Sequence, residues 1–137
     1  MIRAGAMAVL AFACGGAAAA VMTKQEYKAA KVSIAAQYQA ERQKCGARYG
    51  NAADLCIARA HGARDVAKAE LEATRKPSPS TNYAAAVARA RAAYTIAKEE
   101  CDNQHGPAKK ACLKDAKAAL DTARAEAKMA AIGTGTR

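Results

Sequence analysis

The sequence repeats itself at an offset of 56 residues, and each copy carries one pair of cysteines separated by ten residues. Without gaps, residues 27–75 match residues 83–131 at fifteen of 49 positions, and eight of these matches are alanine. The other seven matches are two Tyr, two Cys, one Gly, one Asp and one Glu. Such self-similarity at one fixed offset indicates a duplicated structural unit. The chain is therefore expected to fold into two similar pieces.

Each unit has the pattern of two helices on either side of a central glycine. In the first unit, Thr23 and Glu26 match a capping box, which predicts a helix that begins just after Thr23. Gly50 interrupts the first helix, and Asn51 is expected to cap a second helix that ends before Pro77. The side chains that recur near one face of the first helix are Tyr27, Ile34, Tyr38 and Cys45.

The second unit repeats this arrangement after a linker of Pro and Ser over residues 77–80. Gly106 and Pro107 mark its turn, with Pro at the first position of a fourth helix that runs to about Ile132. We expect residues 133–137 to form a flexible tail. The positions that mark the third helix are Tyr83, Val87, Ala90, Tyr94 and Cys101.

These patterns predict an all-α fold of two tandem antiparallel helical hairpins, one over residues 21–78 and one over residues 79–132. Apolar residues make up 52% of the chain, but 41 of its residues are Ala, and only fourteen Val, Ile, Leu or Met follow residue 20. One hairpin alone would bury little apolar surface, so we expect the two to fold back as a four-helix bundle. Hairpins laid end to end are the alternative.

The cysteines flank the two turns, and we expect each pair to form a disulfide that pins its hairpin. Cys45 and Cys56 lie at opposite ends of the first turn, as do Cys101 and Cys112 at the second. A disulfide requires Cα atoms about 4.4 to 6.8 Å apart, and the small residues around both turns allow the helices to approach that closely. Each bond should add about 3 kcal/mol of stability, a large share for so thin a core.

A metal site is the alternative use of these cysteines, with His61 or His105 as a further ligand. Zinc sites usually contain two Cys separated by two to four residues, and neither unit has such a pair. No Ser, His and Asp arrangement and no phosphate-binding loop is apparent either. We therefore predict no metal, no cofactor and no catalytic residue, and we expect the protein not to be an enzyme.

The first twenty residues have the pattern of a secretory signal peptide. Arg3 provides a positive charge, an apolar run follows, and small residues at 17–20 suit cleavage after Ala20. Lipidation at Cys14 and an ordinary N-terminal helix are weaker alternatives. The apolar run is shorter than a membrane span, so no transmembrane segment is expected in the mature chain. We predict a periplasmic or secreted protein, an oxidising location that suits disulfides.

The excess of basic residues is the main indication of a binding partner. The chain has 22 Lys and Arg against 12 Asp and Glu, a net charge of +10. The densest run is a candidate anion-binding surface, which could attract anionic lipid or lipopolysaccharide. A solvated cationic surface that binds nothing is the alternative, and nucleic acid is disfavoured because export separates the protein from it. The run comprises Lys109, Lys110, Lys114 and Lys117.

The first unit combines the spacing Tyr-x10-Tyr-x6-Cys-x4-Gly-x5-Cys with alanine-rich helical sequence at residues 66–73 and with Lys76, Pro77 and Ser78 after it. On these residues, the sequence resembles small exported proteins of beta-proteobacteria. Members of this group, whose function is unknown, are sometimes labelled TolA-like cell-envelope biogenesis proteins. The resemblance implies a helical protein of the cell envelope and brings no catalytic residues. We therefore expect a non-enzymatic, envelope-associated or stress-associated interaction or structural protein, with an unidentified envelope protein as partner. A cationic binder of anionic envelope polymers or lipids is the alternative.

Overall fold

The computed structural model describes residues 22–133 and contains four helices in them. They are α1 (Lys24–Cys45), α2 (Asn51–Arg75), α3 (Pro79–Cys101) and α4 (Gly106–Gly133). The predicted signal peptide, Cys14 and residues 134–137 of the predicted tail lie outside the described residues. The prediction of an all-α fold with two pinned hairpins is confirmed.

Both predicted disulfides are present, one at the end of each hairpin. Cys45 bonds to Cys56 with a Cα–Cα distance of 5.6 Å, and Cys101 bonds to Cys112 at 5.7 Å. Both distances lie within the range that a disulfide requires. The turn glycines between them have matching backbones, with φ of 56° at Gly50 and 57° at Gly106, a left-handed conformation that glycine adopts without strain. The two turns are therefore structurally as well as sequentially equivalent.

The start of α1 follows the sequence prediction, and the other three helix starts depart from it. The fourth helix begins at Gly106, one residue before the predicted first position, Pro107. The capping box of α1 is formed, since Glu26 accepts from the Thr23 backbone N–H at 2.7 Å and the Thr23 hydroxyl accepts from the Glu26 N–H at 3.2 Å. A second, unforeseen box caps α3, where Ser78 is the N-cap and Thr81 the reciprocal partner. The expectation that Asn51 caps α2 is wrong, because Gly50 is the cap residue and Asn51 is the first residue of the helix.

The segment between the two hairpins is shorter than the Pro and Ser content suggested. Pro79 begins α3, because proline has a helix-compatible φ and needs no hydrogen bond at the first position of a helix. Only residues 76–78 lie between α2 and α3. This tight connection returns the chain antiparallel to α2, so the hairpins pack side by side along their lengths.

The four helices pack as an open bundle within the described part of the chain. Contacts join α1 to α2, α2 to α3 and α3 to α4, and the contact between α2 and α3 is the most extensive. No contact joins α1 to α4 within residues 22–133. The helices therefore form a row with α2 and α3 at its centre and α1 and α4 at its edges.

The core between these helices consists mainly of small side chains. Its larger members are Leu71, Val87 and Leu120, each less than a tenth exposed. Gly62 on α2 faces Ala92 on α3 so closely that a Cβ at residue 62 would lie 2.9 Å from the Ala92 Cβ. Alanine and glycine therefore let the two central helices approach more closely than larger residues would allow. The remaining buried residues include Ala58, Ala60, Ala85, Ala90, Ala116 and Ala127.

Candidate anion-binding surfaces

The predicted basic run lies in the first three turns of α4, and two of its four lysines are paired with carboxylates. The Lys109 Nζ lies 2.7 Å from an Asp102 oxygen, and Lys117 forms an ion pair with Asp121 one turn further along the helix. Lys110 and Lys114 are exposed and have no carboxylate partner among residues 22–133. The surface therefore offers two unpaired cations, and its role in anion binding stays a prediction.

The tyrosines of the first unit lie along the contact between α1 and α2. The Tyr38 hydroxyl is 3.0 Å from the His61 Nε2, and the two rings are 5.0 Å apart at their centroids. The Arg64 guanidinium lies 4.5 Å from the centre of the Tyr38 ring, within the range of a cation–π contact. Tyr38 thus joins the two helices with both its ring and its hydroxyl.

Tyr27 makes a similar contact near the other end of this hairpin. Its hydroxyl donates a hydrogen bond to Glu72, and the Arg75 guanidinium lies 4.1 Å from the ring centre. The pKa of Tyr27 is raised above its ordinary value, chiefly because the hydroxyl donates to Glu72, and Arg75 opposes part of the shift. The contact therefore holds the start of α1 against the end of α2.

A groove on this hairpin brings together four basic side chains, as many as the predicted surface has, and none of its lysines has a carboxylate partner among the described residues. It has a volume of about 450 Å³ and lies beside Tyr27, between the start of α1 and the end of α2. Three lysines come from α1 and one arginine from α2. The other lining residues, Tyr27, Val32 and Ala35, supply an apolar surface that we call the floor of the groove. We call this set the cationic groove: Lys24, Lys28, Lys31 and Arg75, with Tyr27, Val32 and Ala35.

The carboxylates nearest to the cationic groove in sequence accept hydrogen bonds from other residues and do not pair with its lysines. Glu26 accepts hydrogen bonds in the capping box, and its pKa is lowered, first because the Thr23 backbone N–H donates to it and then because the Thr23 hydroxyl does. Glu72 accepts from the Tyr27 hydroxyl. No ion pair involves the three lysines within the described residues. None of the three lysines is therefore paired with a carboxylate, although the Glu72 carboxylate beside Tyr27 offsets part of the positive charge of the groove.

The sequence contained part of the signal for this groove. Lys24, Lys28 and Lys31 are spaced by four and three residues, which places them on one side of a helix. Arg75 lies 44 residues beyond Lys31 and joins them only because α2 runs antiparallel to α1. A search for consecutive basic residues therefore selects α4 and misses the groove.

The described residues contain neither a metal-binding cluster nor a helix that could span a membrane. No group of three or more His, Cys, Asp or Glu side chains within residues 22–133 is placed to hold a metal ion. In the same range, no helix combines the length and apolar character that a membrane crossing requires.

Comparison with known proteins gives no relative: no family model, no curated protein and no solved structure matches the chain. The resemblance to small exported envelope proteins therefore stays a prediction.

Proposed function

We propose that this is a non-enzymatic protein of the periplasm or the secreted fraction that acts by binding an envelope component with its helical surfaces. The observation that carries this proposal is the pair of disulfides, since such bonds form and persist in oxidising compartments outside the cytoplasm. The leader-like first twenty residues support the same location. The open bundle supports a binding role because, among residues 22–133, α1 and α4 each pack against one neighbouring helix only.

A pull-down from periplasmic extract tests the envelope interaction. The bait is the exported protein with both disulfides intact, and the matched control is the same protein after reduction and alkylation of its cysteines. We expect at least one envelope protein to be retained by the oxidised bait and lost from the reduced one, because the disulfides hold the helical surfaces in place. Retention of the same proteins by both baits, or of none by a folded bait, would contradict the proposal.

A second candidate function is binding of anionic envelope polymers or lipids, and the cationic groove is the observation that favours it. Four basic side chains surround exposed apolar residues there, and no described carboxylate pairs with its three lysines. Cation-driven attachment to lipopolysaccharide or anionic vesicles should weaken steeply with added salt, because the Debye length falls from about 10 Å at 0.1 M to about 3 Å at 1 M. Binding that is absent, or insensitive to salt, counts against this function.

A further inference from the structure

The duplication places a second groove at the equivalent position of the other hairpin. This groove lies between the start of α3 and the end of α4 and has a volume of about 370 Å³. The offset of 56 residues relates Tyr27 to Tyr83, and both tyrosines line their grooves. The chain therefore contains an internal comparison for the cationic groove. The lining of the second groove is Pro79, Ser80, Tyr83, Lys128, Ala131 and Ile132.

Each basic residue of the first groove has an uncharged residue at its equivalent position in the second hairpin, and the one basic residue in the lining of the second groove is Lys128, at the position of Glu72. Ser80 and Ala84 stand at the positions equivalent to Lys24 and Lys28, and both are exposed to solvent. Ala131 stands at the position of Arg75. Uncharged residues therefore suffice at these positions, in the same hairpin geometry and in contact with solvent. The positive charge is not a requirement of the hairpin fold.

The fourth replacement has a structural reason and is set aside. Val87 stands at the position of Lys31 and is only 8% exposed, because α3 is packed on two sides whereas α1 is packed on one. A basic residue would be unfavourable in that buried position. Three of the four replacements of basic residues thus remain without a structural explanation.

The floor of the cationic groove adds an apolar requirement to the charged one. Val32 is 65% exposed although large apolar side chains are scarce in this chain. The half-buried Tyr27 ring and Ala35 extend this apolar surface. A ligand that covers the floor and neutralises the basic residues of the groove needs an anionic group joined to a hydrocarbon chain. A soluble polyanion would neutralise the basic residues but would leave the apolar floor exposed.

We propose that the cationic groove binds the phosphate group of a phosphorylated membrane lipid, with part of an acyl chain against its floor. Lys24, Lys28, Lys31 and Arg75 contact the phosphate region, and Val32 and Ala35 contact the hydrocarbon. Juxtaposed cations and an apolar face are the combination that anchors helices at anionic lipid surfaces. This proposal rests on the second candidate function, binding of anionic envelope components, and assigns it to one groove and one ligand class.

The test compares two triple variants with equal loss of charge. Lys24→Gln, Lys28→Gln and Lys31→Gln together alter the groove, whereas Lys44→Gln, Lys68→Gln and Lys98→Gln together alter exposed lysines outside both the groove and the basic run of α4. Both proteins are exported with the native leader and keep both disulfides, and circular dichroism confirms their helicity. Binding is measured to vesicles of phosphatidylglycerol in phosphatidylcholine, with vesicles of phosphatidylcholine alone as the neutral reference.

We expect the groove variant to bind the anionic vesicles about a hundredfold more weakly than the wild type, since each lysine near an anionic surface contributes about fivefold. The control variant should lose less than about fivefold, because its lysines lie outside the cationic groove. Equal losses in the two variants would overturn the groove assignment while leaving anion binding intact. A wild type that binds no anionic vesicle and no polyanion would overturn the candidate function as well.

A second variant tests the hydrocarbon contact. Val32→Gln keeps the charge and does not lower the helix propensity, and we expect it to weaken vesicle binding about fivefold because an exposed apolar side chain of the floor is lost. The wild type should bind inorganic polyphosphate, the soluble probe, more weakly than it binds the vesicles. Val32→Gln should leave polyphosphate binding unchanged. If polyphosphate binds as tightly as the vesicles, and Val32→Gln changes neither, the groove is a site for soluble anions and the lipid proposal is wrong.

Discussion

The close approach of α2 and α3 at Gly62 gives a prediction whose size follows from the geometry. In Gly62→Ala the new Cβ would lie 2.9 Å from the Ala92 Cβ and 3.5 Å from the Ala92 Cα. Methyl carbons prefer separations of about 3.5 to 4.0 Å, so the two helices must separate by roughly 0.6 Å or more. Neither side chain has a rotamer that relieves the contact, so the backbones have to move.

Two opposing effects set the net free-energy change. Alanine is favoured over glycine by about 1 kcal/mol inside a helix. Overpacking a tight core costs about 1 to 3 kcal/mol, and the shortness of this contact favours the middle of that range. We therefore expect Gly62→Ala to lower the free energy of unfolding by about 1 kcal/mol, although the substitution improves helix propensity.

The duplication provides the control for the propensity effect. Ala118 is the residue of α4 equivalent to Gly62, and it is exposed. Ala118→Gly should cost about 1 kcal/mol by propensity alone. The double variant Gly62→Ala/Ala92→Gly moves the methyl group from one helix to the other, so it should regain nearly wild-type stability, with a coupling energy of about 2 kcal/mol between the two sites.

Urea denaturation followed by circular dichroism at 222 nm, with disulfides intact, measures these proteins together with the single variant Ala92→Gly, which the coupling energy requires. The reasoning fails if Gly62→Ala stabilises the protein by the amount that Ala118→Gly destabilises it. That result would mean that α2 and α3 do not touch at this point.

Three further predictions concern the ends of the helices. Replacing both cysteines of the α3–α4 disulfide with alanine should lower the free energy of unfolding by about 3 kcal/mol in urea denaturation, and an unchanged midpoint would refute a stabilising role. Glu26 has a lowered pKa in the folded state, so its contribution is present above its unfolded pKa of about 4.3 and is lost as pH falls through the folded value. Glu26→Gln should therefore be less stable than the wild type at pH 7 and equal to it near pH 2. If thermal melts give the same stability difference between the two proteins at both pH values, this prediction is wrong. The Asn51 side chain donates to the Glu99 carbonyl at 2.7 Å, so Asn51→Ala should cost about 1 kcal/mol, whereas the exposed Asn82→Ala should change stability little.

The positions where prediction from sequence failed share a physical cause. Asn51 has the side chain of a good helix cap, but that side chain bonds to α3 in the adjacent hairpin. Pro79 belongs to a Pro and Ser segment typical of a linker, yet a serine cap and the neighbouring α2 allow it to begin a helix. In both cases a local preference has two outcomes, and the neighbouring helix determines which one is adopted.

The candidate sites divide in the same way. The run of basic residues on α4 and the i, i+4 spacing of Lys117 and Asp121 are visible in the sequence, but the ion pair of Lys109 with Asp102 across the turn is not. The cationic groove needs Arg75 beside three lysines of another helix, a proximity that only the antiparallel return of the chain creates.

The sequence by itself determined the helices, the turns and the pairing of the cysteines. Each of these depends on residues close together in the chain: a capping box, a left-handed glycine and two cysteines placed symmetrically about a turn. Only the tertiary structure decided that α2 and α3 form the centre of an open row, that Gly62 touches Ala92, and that four cations share one groove. An alanine-rich helix presents similar faces in several directions, so its sequence constrains its packing partner weakly, and the summed contacts between whole helices make the choice.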